Sequence, residues 1–328
     1  MGEMRGGYQC TLVAGWVLLA CLADAVLAQS PPASERVAPH RLETAYLPNA
    51  VQLHPLVISG GLPEGDSAFA ELNSLGVRTI ISVDGAKPDV DAAKRHGLRY
   101  VHMPHGYDGI SDLRAKELAK ALVTLEGPFY IHCHHGKHRS PAAASVACVG
   151  AGLLQPQMAL TVLKVAGTNP NYRGLYRATS TARKFERSLL DELAAPFPEV
   201  AQLPPMAEAM VAIEQTFDHL EKLSAHEWQR LPTHPDLDAS HEALLLREHY
   251  TELLRTPETK SQPNAFVKLL QASESLAQKL EDQLRSLPAT DDGNREQHQR
   301  TIDSTLSAIH QQCKTCHQTY RDVPLNEQ

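Results

Sequence analysis

From position 56 the chain alternates short apolar runs with longer amphipathic ones. The apolar runs predict strands over 56–59, 79–83, 100–103 and 129–132. The amphipathic stretches between them predict helices over 67–75, 90–96 and 113–125, joined by short connections carrying Gly, Pro or Asp. This alternation predicts an α/β fold with a parallel-rich sheet flanked by helices. After position 140 the pattern is helical only, with helices expected over 141–150, 156–165 and 175–193. Pro196, Pro198, Pro204 and Pro205 then interrupt it. Beyond them four helical stretches, 206–223, 241–254, 265–287 and about 294–321, carry no strand signal and predict an all-α four-helix bundle. Breakers at 231–235 and 287–293 separate them, and no internal repeat is visible. The expected plan is therefore a leader at 1–28, a flexible Pro- and Ala-rich segment at 29–45, an α/β domain at 46–195, a Pro-rich linker at 196–205 and the helical domain at 206–328.

Composition adds limits. The 328 residues are 42% hydrophobic and 21% charged, ordinary values for globular protein. Aromatics are 5%, the formal charge is −7, and no long basic run or basic–aromatic stripe appears, so a nucleic-acid partner is not expected. Arg5 precedes an uncharged stretch at 6–23, and Val26-Leu27-Ala28 offers small residues for cleavage, with a mature start at Gln29. This predicts a signal peptide and a periplasmic or otherwise exported protein. Leu18-Leu19-Ala20-Cys21 resembles a lipoprotein processing box, and a retained anchor is the third option, although the apolar core is short for a span. Cleavage leaves Cys133, Cys148, Cys313 and Cys316, of which Cys148 reads as a buried core thiol on a helix.

His132-Cys133-His134-His135-Gly136-Lys137-His138-Arg139-Ser140 follows the strand at 129–132 and opens a helix. Backbone N–H groups between Cys133 and Arg139 can wrap one phosphate dianion, and the helix N-terminus adds a favourable dipole. The same field favours the thiolate form of Cys133. Arg139 can grip two phosphate oxygens at once, Gly136 permits the tight turn, and Pro141 suits the first helical turn. Zinc held by His132, His134, His135 and His138 is the alternative, but adjacent histidines on a tight loop share one ion poorly, so no metal is expected here. The pattern of His-Cys, five residues, Arg and Ser resembles the cysteine-dependent tyrosine and dual-specificity phosphatases over about residues 48–190, with Gly-Lys-His-Arg most similar to compact atypical members. The resemblance implies Cys133 as nucleophile, Arg139 as phosphate ligand, and Ser140 as the hydroxyl that assists breakdown of a phosphocysteine. It also implies that His132 orients the loop, that His134, His135, Gly136, Lys137 and His138 bind substrate, and that a loop after an upstream strand supplies a general acid. Asp108 fits that slot, with Asp112 as runner-up; Asp84 reads as a turn residue. Lys137 suits a strongly anionic substrate, such as a phosphoprotein, phosphoinositide or inositol phosphate.

Cys313-Lys314-Thr315-Cys316-His317 has the spacing for covalent haem c, two thiols for thioethers and one imidazole for iron. A thioredoxin-type pair needs a preceding strand, and a zinc site needs a second ligand pair; neither is evident. Few residues come after His317 and none is methionine. A motif at the end of the last of four helices resembles cytochrome c prime and its low-spin relatives over about residues 200–324, with Tyr320 and Arg321 matching that family's terminal segment. Met206 and Met210 share one face of the first helix. The resemblance favours Met210 as sixth ligand, with His317 as the proximal one and Arg321 beside the cofactor; core packing is the other reading of both methionines. The whole protein then has two readings. One is an exported phosphomonoester hydrolase fused to a haem c domain responsive to redox state or gas. The other is a haem electron carrier or sensor whose phosphatase-like domain only binds anions. A redox partner, a diatomic gas and a homodimer through the bundle are the further partners considered.

Overall fold

The computed structural model describes residues 38–287 and 294–327. The expected signal peptide, with its lipoprotein alternative, and part of the breaker at 287–293 lie outside the described residues. A six-stranded sheet contains β1 (His40–Arg41), β2 (Val51–His54), β3 (Val57–Gly60), β4 (Thr79–Ser82), β5 (Arg99–His102) and β6 (Phe129–His132). Their spatial order is β1-β2-β3-β6-β4-β5. The four strands β3, β6, β4 and β5 are parallel, as their near-continuous apolar burial requires, and β1-β2-β3 is an antiparallel meander. The sequence pattern does not predict the meander. Gln52 and His54 alternate with buried Val51 and Leu53 over only four residues, a weak signal. The described end of the segment expected to be flexible, 29–45, instead supplies β1.

Among the described residues seven helices belong to this half: α1 (Gly65–Ser74), α2 (Val90–Arg95), α3 (Asp112–Thr124), α4 (Arg139–Ala151), α5 (Pro156–Ala166), α6 (Arg173–Ser180) and α7 (Arg187–Glu192). α4 is buried on every side from Arg139 to Gly150. Its small side chains permit this: a Cβ at Gly150 would stand 2.8 Å from the Ala119 Cβ of α3. The single helix expected over 175–193 is two. Between α6 and α7 the chain extends so that Phe185 can pack with Ala115, Ala119 and Val146, and the Phe185 amide donates to the Gly150 carbonyl at 3.0 Å.

The second half contains α8 (Pro205–Ala225), α9 (Ala239–Arg255), the short α10 (Pro257–Lys260), α11 (Asn264–Arg285) and α12 (Arg295–Cys316). The four long helices enclose Ile213, Leu220, Leu246, Tyr250, Leu270, Leu280, Ile302 and Ile309. α12 passes into a π-helical turn, His317–Arg321. Among the described residues no helix is long and apolar enough to cross a membrane.

The Pro-rich stretch between the halves lies along β5. The His102 amide donates to the Pro198 carbonyl at 2.8 Å, and the Ala201 amide donates to His102 Nδ1 at 3.0 Å. α8 then crosses the loops after β4 and β6. A Cβ at Gly85 would meet Val211 Cγ2 at 2.8 Å, and His134 pairs with Asp218 at 2.9 Å. The C-terminal segment returns to the α/β half, where the Leu325 amide donates to the Asp108 carbonyl at 3.1 Å.

Candidate active site

The loops carrying Asp84, Tyr107–Asp108 and Cys133 come after β4, β5 and β6, the carboxyl ends of parallel strands where open α/β sheets place their ligand sites. The Cys133 loop is held from outside by its carbonyls. The Leu62 amide donates to His134 O at 2.9 Å, Asn49 Nδ2 to Gly136 O at 2.8 Å, and Thr168 Oγ1 to Lys137 O at 2.6 Å. A planar trans peptide sets its N–H opposite its C=O. The amides of His135, Lys137 and His138 therefore point away from these outer partners. Gly136 is required twice: its φ is +70°, and a Cβ would come within 2.4 Å of the Gly61 amide nitrogen. Among the described residues no side chain caps the N-terminus of α4, so its first-turn amides face the same loop without competition.

Cys133 is buried at 3% exposure, with Ser140 Oγ 3.3 Å from its Sγ. The Ser140 hydroxyl also donates to Gly60 O at 2.9 Å. Arg139 Nη2 donates to Asp84 Oδ2 at 3.0 Å, and both side chains are almost fully buried. Burial opposes the Asp84 carboxylate, but the Arg139 charge and the Ala86 amide outweigh it and hold the acid below its ordinary range. Burial likewise opposes the Arg139 cation, and the surrounding Tyr107, Asp84 and Cys133 raise it back above its ordinary value. Arg139 Nε is buried with no hydrogen-bond partner among the described residues. His132, behind the loop, is kept neutral by burial, its pKa lowered to about 4, and its Nε2 meets the Tyr100 hydroxyl at 2.6 Å.

The carboxyl of Asp108 lies back over Gly106, where a Cβ would meet Oδ1 at 2.3 Å, and its carbonyl is taken by Leu325. Asp112 is exposed at the start of α3 and paired with Lys116 and Arg183. His135 and His138 stand at the outer end of the loop, where burial lowers both pKa values, that of His138 to about 4. His134 is turned toward the helical half; its hydrogen bond to Asp218 raises its pKa. Lys137 is exposed.

A cavity of about 450 Å³ opens between the loop and the helical half. Its walls include Tyr107, His135 and His138 from one side and Met210, Ile213, Phe217, Tyr250, Leu270, Cys313, Cys316, His317 and Arg321 from the other. Cys313 and Cys316 are free thiols, and burial raises both pKa values. Burial lowers His317 to about 3, leaving a neutral imidazole able to donate a lone pair. Two free thiols and a neutral imidazole on one wall, with Met210 in a lining that mixes apolar side chains with polar ones such as Glu214, Asp218 and His310, are a donor set that fits a covalent haem. Met206 packs at the margin of the bundle core and is not in this wall. Among the described residues no cluster of three or more His, Cys, Asp or Glu side chains is arranged to hold a free metal ion.

Three contributors are not legible in the sequence as site residues. Asp84 reads as a turn residue. Asn49 is a surface-type residue whose positive φ of 52° aims its amide at two carbonyls, and Tyr107 carries no signal beside Asp108. The one available signal is position: Asp84 and Tyr107 both lie just beyond parallel strands.

No protein-family model matches the chain, and no curated protein matches it. Solved structures similar to part of it include Pseudomonas aeruginosa TpbA, 21% identical over 44% of this chain and 90% of that one, TM-score 0.38. Human DUSP28 is 21% identical over 44% of this chain and 98% of that one, TM-score 0.33. PTPMT1 in complex with PI(5)P is 16% identical over 39% of this chain and 95% of that one, TM-score 0.29.

Proposed function

We propose that this chain is an exported phosphomonoester hydrolase that works through a phosphocysteine at Cys133 and carries haem c in its helical half. The observation that supports the hydrolase reading most directly is Arg139. A buried guanidinium donor with no such partner costs roughly 1–3 kcal/mol, a cost that an anion at the loop would remove. Arg139 Nε and the amides of His135, Lys137 and His138 would bind the phosphoryl oxygens. The Cys133 thiolate attacks phosphorus while the ester P–O bond breaks, and Asp108 gives the leaving oxygen its proton. Water then attacks the phosphocysteine, Asp108 takes the water's proton, and the Ser140 hydroxyl stabilises the departing sulfur at Sγ. Asp84 holds Arg139 in position throughout. The substrate class is a phosphoprotein or an inositol-type phosphate.

The donor set of the cavity supports haem c: Cys313 and Cys316 as the thioether sulfurs, His317 and Met210 as the nitrogen and sulfur donors. Bound there, the group would supply a one-electron redox or diatomic-gas site. The Arg5 and apolar 6–23 pattern supports export, which covalent haem attachment also calls for.

The test uses full-length protein matured in a periplasm that has haem-attachment machinery. p-Nitrophenyl phosphate turnover and a c-type visible spectrum are both expected. Cys133→Ser should abolish turnover and retain inorganic phosphate binding, since Arg139 and the loop amides remain. Turnover persisting in Cys133→Ser would remove the phosphocysteine route.

A further inference from the structure

Tyr107 is a point at which charge from both halves of the chain converges. Its ring centroid lies 4.6 Å from the Arg139 guanidinium and 4.1 Å from the Arg321 guanidinium. Arg139 belongs to the phosphate loop. Arg321 closes the π-helical turn that begins at His317, and its Nε donates to Asp322 Oδ1 at 2.7 Å. A cation over an aromatic face is attracted by the ring quadrupole, and a buried ring strengthens the attraction. Tyr107 is therefore gripped from the helical half through an interaction that needs a cation at position 321.

The same short loop is fixed at its next residue. The Leu325 amide donates to the Asp108 carbonyl at 3.1 Å. That carbonyl also lies against Gly174, where a Cβ would come within 1.9 Å of it. The guanidinium of Arg173, the residue before Gly174, pairs with the Glu327 carboxylate at 3.0 Å. The segment from Arg321 to Glu327 thus clasps the Tyr107–Asp108 loop against α6. Among the described residues no element of the α/β half supplies a second cation to the Tyr107 ring besides Arg139.

We infer that Arg321 is a positioning residue for phosphoryl transfer: from the helical half it holds Tyr107, and with it the loop that carries Asp108, beside Arg139 of the Cys133 loop. This rests on the hydrolase reading and is independent of whether haem is bound. Arg321 touches neither sulfur nor phosphorus, so its removal should act on proton delivery to the leaving group and leave the phosphate-binding loop nearly intact.

The experiment compares wild type, Arg321→Ala and Arg321→Lys as full-length proteins on two substrates. Phenyl phosphate has a leaving group that needs a proton, and p-nitrophenyl phosphate has one that scarcely does. Arg321→Ala should lower kcat on phenyl phosphate by about tenfold or more, a fraction of the 10²–10⁴ that a general acid contributes. On p-nitrophenyl phosphate the loss should be several-fold smaller, and the inhibition constant for inorganic phosphate should hardly move. Arg321→Lys, which keeps a cation for the ring, should recover most of the loss. Deleting Leu325–Gln328 releases the Asp108 carbonyl without touching Arg321; it should shift the same ratio in the same direction, and it decides the matter if Arg321→Ala does not fold. Equal losses on both substrates, or no loss in either variant, would overturn the inference while leaving the hydrolase reading in place. Wild type that turns over neither substrate would overturn the hydrolase reading and this inference with it. A Cys316→Ala protein with the same substrate-selective loss would assign the effect to the attached group and overturn the role of Arg321.

Discussion

Asp84 neutralises Arg139 inside the protein, so its loss should be felt in both stability and binding. Asp84→Ala leaves a guanidinium buried and unpaired, which typically costs about 3–5 kcal/mol. Chemical denaturation should register that loss, and titration with inorganic phosphate should show weaker binding because Arg139 is no longer held at the loop. Asp84→Asn, which keeps an oxygen at the same place, should cost less on both counts. At this scale legibility tracks sequence distance. Cys133, Arg139 and Ser140 lie within eight consecutive positions, and their spacing alone announces one loop. Asp84 meets Arg139 across 55 positions and Asn49 meets Gly136 across 87, contacts that no local pattern encodes. The Asp108 loop is legible because it comes just after a strand, but the ring beside it, which touches both arginines, carries no signal of its own.

Among the elements, α6 is the one whose start constrains chemistry elsewhere. Gly174 is its second residue, and a methyl group there would meet the Asp108 carbonyl at 1.9 Å. Gly174→Ala should therefore push the loop off its position. Displacements of this order can cost on the order of 100-fold when they misplace a reacting group. Steady-state rates on phenyl phosphate should fall far more than the affinity for inorganic phosphate. The strands β3, β4 and β6 are readable because each is a mostly apolar run buried along its whole length, the mark of burial on both faces, and β5 because only its first residue, Arg99, is exposed. β1 and β2 are not, β1 being two exposed polar residues and β2 short and half polar. The helices of the second half are readable from their amphipathic period, whereas the break between α6 and α7 is not, because it is set by a tertiary pocket for Phe185 and not by a breaker residue.

For the whole molecule, the contact between the halves should depend on pH through His134 and Asp218. The hydrogen bond to Asp218 raises His134, so this histidine's contribution is complete below its ordinary 6.5 and is lost as pH rises through the elevated pKa. Burial opposes the Asp218 carboxylate, yet His134 holds it below 3.8; its contribution is complete above that value and fades only as pH falls through the lowered one. The contact is thus strongest between about pH 4 and 6.5. The stability difference between wild type and Asp218→Asn should be largest there and shrink toward pH 9; a difference that stays constant across this range would mean the pair contributes nothing to joining the halves. The passage from an α/β region to a helical one is legible from the loss of strand signal after position 140. Their docking is not, because it is made by pairs such as His134 with Asp218, separated by 84 positions. The prolines at 196–205 suggest a spacer, and the chain uses them otherwise. β5 is an outermost strand, and the main-chain amide of its last residue, His102, donates to Pro198, while Ala201 donates to the His102 ring. The stretch that joins the halves therefore also covers the carboxyl end of an open sheet edge, with prolines that cannot extend the ladder. A fragment cut before residue 196 would leave that strand open to pairing with other copies of itself, so the joint protects the α/β half against self-association as well as tethering its neighbour.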